Sequence, residues 1–126
     1  MKKKITIAVI ITAIVSSFVV LVIIATILRP TPLNIEKINF ELVADGKYIG
    51  ICQNKILVAV VCIEVYENEV VKIEILKHKP SYMHYASQIA DAVVKKQSLE
   101  VDVIAGATLT CDTVKKAIEN ALLKGF

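Results

Sequence analysis

Residues 45–77 read DGKYIGICQNKILVAVVCIEVYENEVVKIEILK, and this stretch decides the fold. Asp45-Gly46 is a strong turn signal. Lys47 to Cys52 then reads as a strand, and Gln53-Asn54-Lys55 as a second turn. Ile56 to Tyr66 is a long apolar run rich in β-branched residues, and its continuity predicts a strand covered on both faces. Glu67-Asn68-Glu69 turns the chain again. From Val70 to Lys77 the pattern alternates, with Val71, Ile73 and Ile75 facing one way and Lys72, Glu74 and Leu76 the other. Three such strands joined by short turns make an antiparallel meander.

After His78-Lys79-Pro80 the period changes. Tyr85, Ile89, Ala92, Val93 and Lys96 fall at helical spacing, which predicts an amphipathic helix over Tyr82 to Lys96. A short apolar segment, Val101 to Ile104, precedes a last helix expected from about Cys111 to Lys124. Its apolar stripe is Val114, Ile118, Ala121 and Leu122. Thr110 suits the N-cap, Asp112 the first turn, and Gly125 the end. The fold class is therefore α+β: an antiparallel meander packed with two helices.

Upstream of this unit the chain is unlike it. Ile5 to Leu28 is an uncharged run rich in Ile and Val, and it concentrates much of the chain's 56% hydrophobic content. As a helix it spans roughly 36 Å at 1.5 Å per residue, enough to cross a ~30 Å hydrocarbon core with some tilt. Its hydroxyls, on Thr6, Thr12, Ser16, Ser17 and Thr26, can bond back to helix carbonyls. A cleaved signal peptide is the alternative, but the run is longer than a secretory core and ends in Ile27-Leu28-Arg29-Pro30 without a small-residue cleavage site. The reading is an uncleaved transmembrane anchor over residues 1–29, broken by Arg29-Pro30-Thr31-Pro32. Lys2, Lys3 and Lys4 lie before the run and only Arg29 closely after it, so the N-terminus is expected inside and the remainder outside the cytoplasm. Residues 30–44 read as a stalk or linker with one helical turn at most, and residues 45–126 as one extracytoplasmic domain.

The net charge of +3 belongs to the anchor region. Lys2, Lys3, Lys4 and Arg29 are basic and no acid precedes Glu36, which leaves the rest of the chain slightly negative. No basic cluster remains there, and nucleic acid is not an expected partner. Cys52, Cys62 and Cys111 are odd in number and form no CxxC pair, so no zinc or other metal site is expected. The plain reading of Cys52 and Cys62 is small buried hydrophobes. No Ser-His-Asp order suggests a hydrolase, and no catalytic residue is assigned.

The chemistry concentrates in Asp102-Val103-Ile104-Ala105-Gly106-Ala107-Thr108-Leu109-Thr110. Gly106 permits a tight or positive-φ backbone, and Ala107 is small enough for a bulky group to come close. A helix starts just beyond, and its free N–H groups and positive dipole end favour a phosphate. From the turn alone the simpler reading is an ordinary helix start, with Thr108 and Thr110 competing to cap it.

From Asp45 to the end, the chain resembles the FMN-binding domain found in the covalently flavinylated subunits of the Rnf complex and of sodium-pumping NADH:quinone reductase. Three features carry the resemblance: the opening Asp45-Gly46-Lys47-Tyr48-Ile49-Gly50, the strand that ends near His78, and the run from Asp102 to Thr108 followed by Thr110. Two departures stand out. Ala105 occupies a position where the family usually has Ser or Thr, and the segment after His78 is short.

The resemblance implies FMN held covalently on Thr108 through a phosphoester bond, placed there by a Mg²⁺-dependent flavin transferase that uses FAD. It implies that Asp102 is read by the transferase or orients the loop, that Gly106 and Ala107 give access, and that Thr110 and the helix N-terminus hold the phosphate. His78, at a strand end near Tyr82, Met83, His84 and Tyr85, is either a flavin neighbour or part of a solvated loop; His84 and Lys79 read as solvated. The expected function is an anchored electron carrier between a membrane redox donor and an extracytoplasmic acceptor. The alternatives are a subunit of an Rnf-like complex, a reductase with its own substrate, and a non-redox anchored adaptor with a degenerate flavin domain.

Overall fold

The computed structural model describes residues 2–126; Met1, the first residue of the expected anchor, lies outside the described residues. Helix α1 runs Lys2–Leu28 and buries none of its residues. Thr6, Thr12 and Thr26 each donate a hydroxyl to the carbonyl four residues back, at 2.8 Å, so the helix presents an apolar surface all round. By length and composition it fits a membrane span or a signal sequence.

The meander is formed by β1 (Gly46–Asn54), β2 (Leu57–Tyr66) and β3 (Glu69–Lys77), antiparallel and in the order β1-β2-β3. The β2–β3 turn has both central residues at positive φ, Glu67 at 53° and Asn68 at 61°, as a two-residue hairpin of matching twist requires. Asp45 Oδ1 accepts from the Asn68 N–H at 3.2 Å and ties the start of β1 to that turn.

The central strand is not covered on both faces. Leu57, Ala59, Val61, Ile63 and Val65 are buried, whereas Val58, Val60, Cys62 and Glu64 between them are only half-buried. Helices pack on one face of the sheet alone. In β3 the inward set is Val70, Ile73 and Ile75 rather than Val71, Ile73 and Ile75. The pairing with β2 skips Val71 and Leu76, two bulges that turn both side chains out to solvent.

Helix α2 (Met83–Lys96) follows a 3₁₀ turn over Pro80–Tyr82, and α3 (Thr108–Leu123) follows an irregular segment. The core between helices and sheet centres on Ile63, Ile89, Val93, Val114, Ile118 and Leu122, all essentially inaccessible. Each such side chain contributes about 1.5–3 kcal/mol when fully buried. Gly50 sets how closely α3 crosses β1: a Cβ there would lie 1.9 Å from the Ala117 carbonyl oxygen.

Residues 30–43 lie along the domain. Leu33, Ile35 and Ile38 pack on the core, while Phe40 and Val43 are members of it. Polar contacts hold the same segment. The buried Glu119 carboxylate takes the Lys116 ammonium at 3.1 Å and also faces the Glu36 N–H at 3.4 Å, and Lys116 reaches the Asn34 carbonyl at 3.3 Å. The free edges of the sheet are covered as well. Asn120 Nδ2 and Lys124 Nζ donate to the Ile51 and Ile49 carbonyls of β1. On the β3 side, the Gln97 amide bonds both the N–H and the carbonyl of Val70.

Candidate functional site

The segment from Asp102 to Thr110 forms a turn that runs directly into α3. The Ala107 N–H donates to the Ile104 carbonyl at 2.9 Å, with Ala105 and Gly106 between them. Gly106 has φ +82°, and a Cβ there would meet nothing within 4 Å. Glycine is therefore needed for the backbone conformation, and crowding plays no part. The turn is held from behind by α3. The ammonium of Lys115, a buried residue, donates to the Val101 carbonyl at 2.5 Å, and the Ile104 N–H points at Cys111 Sγ at 3.5 Å.

The first bond of α3 runs from the Cys111 N–H to the Ala107 carbonyl at 2.9 Å, so the N-cap is Ala107 and Thr108 is the first helical residue. The helix thus begins three residues before the expected start. Thr110 lies inside the first turn and is buried, so it is not the cap; Asp112 falls in the second turn. No side chain caps α3 and no acid stands in its first turn. The N–H groups of Thr108, Leu109 and Thr110 therefore have no acceptor within the helix and face outward with the positive end of its dipole.

These groups open into a hollow of about 420 Å³, a size typical of small-molecule sites. Gly106, Ala107, Thr108, Leu109 and Thr110 form one wall. Ile56 and Leu57, at the β1–β2 hairpin, and Pro30 add apolar surface. Arg29 and Lys79 bring two cations, and Tyr82 a ring with Lys79 Nζ 5.3 Å from its centroid. Among the described residues no carboxylate lines the hollow. Thr108 is exposed at its mouth.

Four of the six residues singled out from sequence, Gly106, Ala107, Thr108 and Thr110, thus share one hollow. Asp102 does not join them; it is exposed, on a shallow surface beside Lys95 and Lys96 of α2. His78 does not line the hollow either, although its neighbour Lys79 does. The solvated-loop reading of His78 is corrected: the ring is buried, and Nδ1–H donates to the Val58 carbonyl at 3.1 Å, pinning the end of β3 to β2. Its Nε2 is buried with no partner among the described residues. Burial holds the imidazole below its ordinary pKa, and the bond to Val58 only partly offsets this, so the ring is neutral.

Arg29 and Lys79 were not singled out from sequence as site residues; Lys79 is exposed, as expected, and it also lines the hollow. A signal was present: each immediately precedes a proline, Arg29-Pro30 and Lys79-Pro80, where the backbone is biased to an extended shape. The three cysteines are free. Cys52 and Cys111 are buried, and Cys62 is half-buried on the opposite sheet face from Cys52. Burial raises the Cys52 thiol pKa, with Lys116 opposing and Glu119 reinforcing that rise.

A hollow built this way suits a phosphorylated aromatic ligand. The family comparison agrees: residues 55–123 match the model of the FMN-binding domain, and the chain belongs to that family. No curated protein matches the chain. The donor set fits the phosphate of FMN, since three free backbone N–H groups and two cations meet in one hollow without an acid.

Proposed function

We propose that this chain is a membrane-anchored flavoprotein that carries FMN on Thr108 by a phosphoester bond. In this reading it passes electrons between a membrane donor and an acceptor outside the cytoplasm. The observation that carries the reading is the position of Thr108: an exposed, hydroxyl-bearing first residue of an uncapped helix, lining a hollow that two cations also line.

Each part of the site has a role. Thr108 Oγ1 would be the oxygen of the ester, losing its proton when the Mg²⁺-dependent transferase moves the FMN group of FAD onto it with release of AMP. The N–H groups of residues 108–110 stabilise the remaining phosphate charge. Tyr82, Ile56 and Leu57 give the ring system apolar surface, and Asp102, exposed beyond the hollow, is available for recognition by the transferase. His78 backs the strand end that presents Lys79. FMN supplies the redox chemistry, and the protein supplies position and electrostatics.

Helix α1 is the anchor. The lysines before it and the single arginine after it favour an extracytoplasmic domain. The transferase acts on that same side, which is consistent with the site.

The test is in-gel flavin fluorescence after denaturing electrophoresis, with the chain co-expressed with an extracytoplasmic flavin transferase beside Thr108→Val. A fluorescent wild-type band and a dark variant are expected. A dark wild-type band, with the transferase active on another substrate, overturns the covalent reading.

A further inference from the structure

We propose that Arg29, the residue that follows α1, is a phosphate-holding residue of the flavin site, so that the anchor itself completes the site. The inference rests on the reading that the hollow takes FMN at Thr108.

Arg29 and Lys79 reach the hollow from distant parts of the chain, one from the end of α1 and the other from the link between β3 and α2. Neither is neutralised. Among the described residues the ion pairs are Lys37–Glu100 and Lys116–Glu119, and no acid lines the hollow. Among the described residues, the Lys79 ammonium meets only the face of the Tyr82 ring. Two uncompensated cations, facing the free N–H groups of a helix start, repel one another and gain from a shared anion.

The position of Arg29 is built into the fold. Pro30 and Pro32 stop the helix, and Asn54 fixes Thr31 between them. The Thr31 N–H donates to Asn54 Oδ1 at 3.0 Å, and Asn54 Nδ2 donates to the Thr31 carbonyl at 2.6 Å. Asn54 is itself buried at the end of β1. The residue two places before this clasp therefore stays beside the β1–β2 hairpin, whose Ile56 and Leu57 line the same hollow. A guanidinium presents a planar fork that matches two phosphate oxygens, which a lysine at this position does not.

The test uses the full chain in detergent micelles, with FMN and riboflavin as probes, since riboflavin lacks only the phosphate. In the transferase-free protein, flavin fluorescence is titrated for wild type, Arg29→Gln and Arg29→Lys, with Lys95→Gln as a surface-cation control outside the hollow. Arg29→Gln is expected to lower the preference for FMN over riboflavin by about tenfold, the usual effect of one charge-assisted hydrogen bond. Riboflavin affinity stays unchanged, Arg29→Lys falls between, and Lys95→Gln matches wild type.

In the flavinylated protein, the ³¹P signal of the phosphoester is expected to move in Arg29→Gln and not in Lys95→Gln. This second measurement decides the matter if free flavins bind too weakly to titrate. An unchanged preference, or an unchanged ³¹P signal, overturns the proposal. Parallel weakening of both flavins also overturns it, because it assigns Arg29 a structural role. A wild-type chain that takes no flavin in either form overturns the flavin reading as well. One that loads at Thr108 and is indifferent to Arg29 overturns this inference alone.

Discussion

Asn54 at the end of β1 and Thr31 just after α1 share two hydrogen bonds to the backbone, the side-chain amide of Asn54 closing on both the N–H and the carbonyl of that one residue. Removing that amide should free the segment after α1. Asn54→Ala is expected to cost about 1–2 kcal/mol, given about 0.5–1.5 kcal/mol per bond and partial access of water to the vacated groups. Urea unfolding measures the loss, and amide exchange should quicken at residues 31–36. Protection there equal to wild type would contradict the clasp.

Gly50 and Ala117 bring β1 and α3 into close backbone approach. A Cβ at Gly50 would fall 1.9 Å from the Ala117 oxygen and 2.7 Å from the Ala121 nitrogen. Both are backbone atoms, so α3 must shift as a whole. Gly50→Ala is expected to destabilise by about 3 kcal/mol, at the upper end of overpacking losses. A thermal melt close to wild type would show that α3 can slide without penalty.

Gly106 gives the opposite case. Nothing lies within 4 Å of a Cβ added there, but φ is +82°. Gly106→Ala should cost only about 1–2 kcal/mol, from left-handed strain. The turn can relieve that strain by changing shape, which moves Thr108. Flavin loading by the transferase is therefore expected to fall much further than stability. Full in-gel fluorescence from a folded Gly106→Ala protein would show that the turn need not be held.

His78 makes stability depend on pH. Its pKa in the folded chain lies below the ordinary value, chiefly through burial. Well above about pH 6.5 the ring is neutral in both states, and its full contribution is present. As pH falls below that, the unfolded chain takes up the proton first, so stability declines until the folded value is passed. The melting temperature is expected to drop as pH falls through and below about 6.5, and His78→Gln should flatten that part of the curve. Identical slopes in the two proteins would exclude His78 as the source.

The β2–β3 turn was readable because Glu67-Asn68 carries the local chemistry of a short turn and adopts positive φ at both residues; Asp45-Gly46 marks the entry to β1, and the β1–β2 turn falls at Lys55-Ile56, just past the Gln53-Asn54-Lys55 signal. The site turn was readable for the same reason, through Gly106. What was hidden depends on partners far away in the chain. Val71 fits an alternating pattern with Ile73 and Ile75, but a bulge opposite β2 turns it out to solvent and puts Val70 in the core instead. The start of α3 was set late, at Cys111, because Thr110 looks like a cap. The turn closed by Ala107 on Ile104 already delivers a helical conformation at Thr108. Residues 33–43 looked like a stalk because their hydrophobic spacing fits neither period well, and only packing against the core orders them. Lys115 reads as one more surface lysine until its position among Cys111, Val114 and Ile118 is set against the Val101 carbonyl.

The ordered path of residues 30–43 also bears on how an anchored carrier would meet its partners. Chain that lies against the domain adds no reach, so on the proposed reading the cofactor would not swing out on a leash. Its distance from the bilayer and its facing direction would become properties of the helix end. Encounters would then be collisions in a plane, paced by lateral diffusion and filtered by rotation about the membrane normal. A partner would have to present its own redox centre at that fixed height.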